Sequence, residues 1–139
     1  MKGMKLIMEE FIELNRTEEE INLLSPLTWA YVGDCVYELY IRTKLVNKTN
    51  LKPNKLHIET IKYVKAKSQS EMLEKMQDIL TVEEKDIVRR GRNAENHHLP
   101  KNSNVFEYSR ATAFEALIGY LYLTKRFSRL EEILKKCMN

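Results

Sequence analysis

Two short stretches of the chain bring together residue types that can do chemistry. In Tyr31-Val-Gly-Asp-Cys-Val-Tyr37 a carboxylate, Asp34, follows a glycine inside an otherwise apolar run. In Ala113-Phe-Glu-Ala-Leu-Ile-Gly-Tyr-Leu-Tyr122 a second carboxylate, Glu115, stands four residues before Gly119, one helical turn away on the same face. An interior glycine costs a helix about 1 kcal/mol relative to alanine, so each asks for a packing reason, and close approach of another backbone supplies one. If Gly33 and Gly119 share one helix crossing, Asp34 and Glu115 come together there. A buried carboxylate without a partner is expensive, which leaves two readings of the pair. One is an ion pair with a lysine or arginine from the basic part of the chain. The other is a pair of oxygen ligands for Mg2+, an ion that takes one or two protein carboxylates and keeps several waters. Beside a basic surface, such a pair suits phosphodiester hydrolysis. Basic groups bind the backbone, and the metal polarises a phosphoryl oxygen and lowers the pKa of an attacking water.

The net charge is only +3, but it is unevenly spread. Residues 1–24 carry three basic and six acidic side chains, and residues 25–41 carry only Asp34 and Glu38. Residues 42–67 then carry eight basic groups against the single Glu59. The remaining 12 basic and 11 acidic groups nearly balance, with a local cluster at Arg89, Arg90 and Arg92. Segregation of this kind suits a polyanionic partner, and equally a solvated lysine-rich helix face. Lys62, Lys65 and Lys67, which follow Lys52 and Lys55, are candidate phosphate contacts on the first reading and plain surface on the second. The three arginines at a helix end also complement its C-terminal dipole. Other chemistry is weaker. His97 and His98 have no Cys or carboxylate partner at zinc-like spacing. Cys35 reads as core filler, and Trp29, Tyr31, Tyr37, Tyr40, Tyr120 and Tyr122 read as core or dimer interface.

The elements that position these residues are helical throughout. Ser25-Pro26 is a helix start, a capping hydroxyl followed by proline at the first helical position. It opens a helix over Leu27 to Val46 whose apolar residues run around much of its circumference, the pattern of a central buried helix. Pro53 opens another, running to about Lys67. Three Ser/Thr-x-x-Glu capping boxes, Ser68 with Glu71, Thr81 with Glu84 and Ser128 with Glu131, predict helix starts near 69, 82 and 129. The polar stretch from Arg92 to Asn104 contains Pro100 and reads as a loop, and a second long apolar helix runs from about Val105 to Lys125. The fold class is all-α.

Composition narrows the rest. At 139 residues the chain is one domain's worth, and 43% hydrophobic with 31% charged residues describes an ordinary globular protein. Two cysteines make no disulfide framework, and four Gly with three Pro disfavour all-β sandwiches. No apolar run approaches the roughly 20 residues that span a bilayer, and the N-terminus makes no signal peptide, so a cytoplasmic protein with no membrane partner is expected.

The residues around the acids resemble a known family. Leu27-Thr-Trp-Ala-Tyr-Val-Gly-Asp-Cys-Val-Tyr-Glu38 resembles the signature helix of the ribonuclease III catalytic domain, and Ala113-Phe-Glu-Ala-Leu-Ile-Gly119 resembles that family's other acidic helix. Arg89-Arg-Gly-Arg-Asn93 followed by Pro100-Lys-Asn102 is similar to the small branch called Mini-ribonuclease III. The resemblance covers roughly residues 23–137, with the three motifs in the expected order. It implies a helical endonuclease-domain bundle, residues 23–139, behind an N-terminal helical extension over 1–22. It also implies a homodimer that cleaves double-stranded RNA with Mg2+, in the maturation of the 23S ribosomal RNA precursor. A ribosomal protein is a candidate further partner. The chain ends about twenty residues after Glu115, so no appended RNA-binding domain is expected.

Carried over residue by residue, the resemblance makes Asp34 and Glu115 the catalytic metal ligands. The larger enzymes have two further acids, at positions that are Ala30 and Thr112 here. Glu38, one turn after Asp34, is a candidate replacement ligand or outer acceptor, or else an ion-pair partner of Arg42. Thr112 either holds a water at the site or bonds back to its own helix. The resemblance places Arg92, Asn93, Lys101 and Asn102 at the RNA, and Lys62, Lys65, Arg89 and Arg90 are further candidate contacts by their charge. Two rivals differ in kind: a non-catalytic RNA-binding module with the same fold, and a helical protein-interaction domain with a structural carboxylate pair.

Overall fold

The computed structural model describes residues 11–94 and 104–138, and all regular structure among them is helical. In chain order the helices are α1 (Glu18–Asn22), α2 (Pro26–Lys48), α3 (Pro53–Val64), α4 (Ala66–Lys75), α5 (Val82–Asn93), α6 (Val105–Leu123) and α7 (Phe127–Lys135), with a 3-10 turn at Gln77–Ile79 before α5. Two expected caps form as read. Ser25 Oγ accepts from the Leu27 amide at 3.1 Å, and Thr81 and Glu84 satisfy each other's amides at 2.9 and 3.1 Å. A further box, Thr17 with Glu20, starts α1.

The central helix is α6, not α2. From Ala111 to Tyr122 every residue of α6 is buried except the half-buried Glu115, and α2, α4 and α5 pack around it. Helix α2 is one-sided instead. Trp29, Gly33, Tyr37, Ile41 and Leu45 face the core, while Tyr31 and Leu39 are 78% and 59% exposed. Tyr31 is therefore no core residue, and Cys35 is exposed rather than filler. Edge-to-face rings lock α2 to α6, with Trp29 on Tyr120 at 5.1 Å and Tyr37 on Phe114 at 4.9 Å. Helix α1 lies within the stretch expected as an extension, yet it joins the same core. Ile21 is buried, its carbonyl accepts from Trp29 Nε1 at 2.9 Å, and Asn22 Oδ1 accepts from the Tyr120 hydroxyl at 2.6 Å.

Three expected boundaries move. The helix opened by Pro53 stops at Val64, because Lys65 adopts an extended backbone (ψ 152°) and a new helix begins at Ala66. Tertiary contacts hold the break: Tyr37 donates to the Tyr63 carbonyl at 3.2 Å, and Ser68 Oγ donates to the Lys62 carbonyl at 2.6 Å. Ser68 thus closes the end of α3 instead of capping its own helix. At the other end α7 begins at Phe127, ahead of Ser128, after Lys125 takes a left-handed φ of 61° and the Arg126 amide bonds the Leu121 carbonyl at 2.8 Å. Burial of Phe127 fixes that start, and Glu131 pairs with Lys135 at 2.9 Å instead of completing a box. Among the described residues no helix is long and apolar enough to cross a membrane.

Candidate active site

The site is made by the crossing of α2 and α6. A Cβ placed on Gly33 would lie 1.8 Å from the Glu115 carbonyl oxygen and 2.7 Å from the Gly119 nitrogen. One placed on Gly119 would lie 1.8 Å from the Trp29 carbonyl oxygen. The two backbones therefore touch, and only glycine at both positions allows it. Contact at Gly33 sets Asp34 beside Glu115. On the other side of α6, Gly91 lets α5 approach closely, though less so than at the α2 crossing, since a Cβ there would meet Ala113 Cα and Ala116 Cβ at 2.9 Å each. Glu115 is thus held on a helix pinned from two directions.

The electrostatics of the pair are unbalanced. The Glu115 carboxyl is pushed up to about 8, first by burial and then by the charge and hydrogen bonding of Asp34, while Gln69 from α4 acts in the opposite direction. Asp34 is exposed, at the open side of the pair. Among the described residues no lysine or arginine pairs with either acid, so the ion-pair reading finds no partner there. Nor does any third Asp, Glu, His or Cys join them among those residues. Two adjacent carboxylates without a counter-charge form a place for a cation. Gln69 strengthens that reading: it is 2% exposed, its Nε2 makes no well-formed hydrogen bond, and its side chain reaches the Glu115 carboxyl. An uncompensated acid pair beside a buried, poorly bonded amide fits a hard divalent ion with water completing its shell.

The remaining candidates scatter. Ala30 and Thr112 are both buried, and the Thr112 hydroxyl donates to the Tyr108 carbonyl of its own helix at 3.0 Å. Glu38 accepts from Arg42 Nε at 3.0 Å. Lys62 pairs with Glu59 at 2.8 Å, Arg89 pairs with Asp86 at 2.6 Å, and Lys65, Arg92 and Asn93 are exposed. Arg90 is engaged within the fold. Its guanidinium donates to the Asn22 carbonyl at 3.0 Å and lies 4.7 Å from the centre of the Trp29 ring, tying α5 to the α1–α2 connection. Lys101 and Asn102, with His97 and His98, fall outside the described residues. Sequence reasoning missed Gln69 and Gly91. Gln69 had a signal, since it fills the position of α4's buried stripe that precedes Leu73 by one turn.

Comparison with known proteins decides the family. The Ribonuclease III domain matches residues 27–126, which span both acidic helices. The chain belongs to the ribonuclease III family. It is 55% identical to the Mini-ribonuclease 3 of Thermoanaerobacter sp. (strain X514), across 86% of this chain and 84% of that one. It is 51% identical to the Mini-ribonuclease 3 of Staphylococcus aureus, across 88% and 92%. A crystal structure of a protein from Fusobacterium nucleatum superposes with a TM-score of 0.75 at 33% identity, covering 84% of this chain and 93% of that one. This ribonuclease III domain is therefore a helical endoribonuclease that acts on double-stranded RNA, and its family uses divalent metal and works as a dimer.

Proposed function

We propose that Asp34 and Glu115 hold Mg2+ at the α2–α6 crossing and that the duplex this domain cuts is the precursor of 23S ribosomal RNA, in the cytoplasm. The observation that carries the assignment is the uncompensated carboxylate pair itself. Asp34 and Glu115 meet where two glycines bring the helices into contact, and no cation among the described residues answers them. When bound, the ion supplies Lewis-acid polarisation of a phosphoryl oxygen and a more acidic attacking water. The chain's own part is placement. Glu115 is fixed by a helix buried on nearly every side, and Asp34 stands at the open edge where a phosphate can reach it. Lys62, Lys65, Arg89, Arg92, Asn93, Lys101 and Asn102 are the proposed RNA contacts. A-form RNA is gripped through phosphates and 2′-hydroxyls in a wide minor groove, which suits exposed lysine, arginine and asparagine.

The same reading gives two copies of the chain, joined through the outward face of α2. That face carries Tyr31, Cys35 and Leu39, and with Ile12, Leu14 and Val36 it lines an apolar groove of about 400 Å³. The test of the site is Asp34→Asn. It is expected to abolish cleavage of a duplex RNA while leaving the circular-dichroism spectrum and RNA affinity near wild type. Full activity in that variant would remove Asp34 from the site. The substrate is tested separately, by mapping the products of a 23S precursor duplex.

A further inference from the structure

Gln69 contradicts the packing rule for its own helix. It occupies the buried stripe of α4 with Leu73, next to the buried Met76 just past the helix end, where apolar side chains are the rule. Instead the chain keeps an amide that is 2% exposed, whose Nε2 makes no well-formed hydrogen bond and whose side chain reaches the Glu115 carboxyl, where it favours the ionised form. Buried polar groups are nearly always satisfied, so an amide held this loosely beside a carboxyl asks for a bond that is completed when the carboxylate is fixed by a ligand. Asp34 from α2 and Gln69 from α4 both reach the carboxyl of Glu115. Asp34 can only accept when ionised, and the Thr112 hydroxyl is spent on the Tyr108 carbonyl. Gln69 is thus the donor at hand. A carboxylate that gives one oxygen to a cation keeps a second oxygen with lone pairs to satisfy, and in a wall of packed helices water does not reach it freely. Hydrogen bonds to the far side of a ligand fix its orientation and its affinity for metal.

We propose that Gln69 is a positioning residue of the metal site: its Nε2–H donates to the Glu115 oxygen that the ion leaves free. The inference rests on the assignment of Asp34 and Glu115 as ligands, and it assigns α4 a part in the site. It also gives a use to the break at Lys65, because α4 packs on α6 as a helix separate from α3 and carries Gln69 to Glu115.

The experiment measures binding of Mn2+ alone to the RNA-free protein, by the loss of the free-ion signal in electron paramagnetic resonance. Mn2+ is used because it favours the same oxygen donors as Mg2+. Gln69→Met and Gln69→Leu keep the volume and remove the donor. Both are expected to bind Mn2+ roughly 10–100-fold more weakly, the range found for outer-shell partners. Their metal-free melting temperature is expected to stay at or above wild type, since a buried amide without a well-formed hydrogen bond has been replaced by an apolar side chain. A structural role predicts the reverse, a lower melting temperature with unchanged affinity, and that result overturns the proposal. Asp34→Asn and Glu115→Gln are measured alongside. If these lose Mn2+ and the Gln69 variants do not, the positioning role alone is wrong. If all four bind as wild type, the ligand assignment fails and the Gln69 role fails with it.

Discussion

Glu115 is a carboxyl on which burial and a neighbouring acid act in the same direction. In the metal-free protein they raise it from 4.5 to about 8. The unfolded chain releases that proton at the ordinary carboxylate pKa, so between these two values the native state binds more protons than the unfolded one. Stability must then fall as pH rises. The contribution is fully present below the unfolded pKa and is lost as pH climbs towards and through about 8. Metal-free protein in chelator is expected to melt progressively lower from mildly acidic pH up to about 8, and Glu115→Gln is expected to flatten that decline. Thermal melts across the range check it, and a wild-type profile parallel to the variant's would mean that Glu115 is neither so buried nor so close to Asp34. At this scale the sequence was informative about which acids matter and uninformative about what surrounds them. A carboxylate in an apolar helix is conspicuous, whereas Gln69 is polar in a polar segment and only its helical register marks it as buried.

At the scale of elements, the two glycines decide the geometry. Glycine to alanine in an exposed helix gains about 1 kcal/mol from propensity. At Gly33 the added carbon would meet the backbone oxygen of Glu115 at 1.8 Å, which no side-chain adjustment relieves. Gly33→Ala is expected to destabilise by about 2 kcal/mol or more, within the range for overpacked cores, and to lose cleavage because the helices separate at the acids. A urea midpoint that rises, as at a solvated helix position, would show the crossing to be looser. This crossing was legible in the sequence because interior glycines in two apolar helices are hard to explain otherwise. The break at Lys65 was not, since neither glycine nor proline marks it and its cause lies in Tyr37, a residue 28 positions away. The rank of the two long helices was misread for a related reason. Tyr31 and Leu39 make α2 look buried all round, but a sequence does not say whether an apolar face meets its own core or another chain.

For the whole molecule, that exposed apolar face and the uneven charge make separate demands. The face suits a second copy, and Leu39→Glu is expected to shift the protein to monomer in sedimentation and to reduce cleavage; a variant that remains dimeric would move the interface elsewhere. The charge is subtler than its count of eight basic groups over residues 42–67. Arg42, Lys62 and Arg89 are each paired with an acid on their own helix, whereas Lys65, Lys67 and Arg92 are exposed without an ion pair among the described residues. Arg90 and Arg92, two residues apart, therefore separate a structural cation from an exposed one proposed to contact RNA. Each phosphate contact releases condensed counterions, so losing one lowers the slope of log affinity against log salt by about one. Arg92→Ala is expected to weaken duplex binding and reduce that slope by about one while leaving the melting temperature unchanged. Arg90→Ala is expected to leave the slope intact and lower the melting temperature, because it strips the Asn22 carbonyl of a donor and the Trp29 ring of its guanidinium. Filter binding at several salt concentrations, with melts of the same samples, separates the two. A salt slope that drops for Arg90→Ala and not for Arg92→Ala would place the RNA against α1 and the start of α2 instead of at the end of α5.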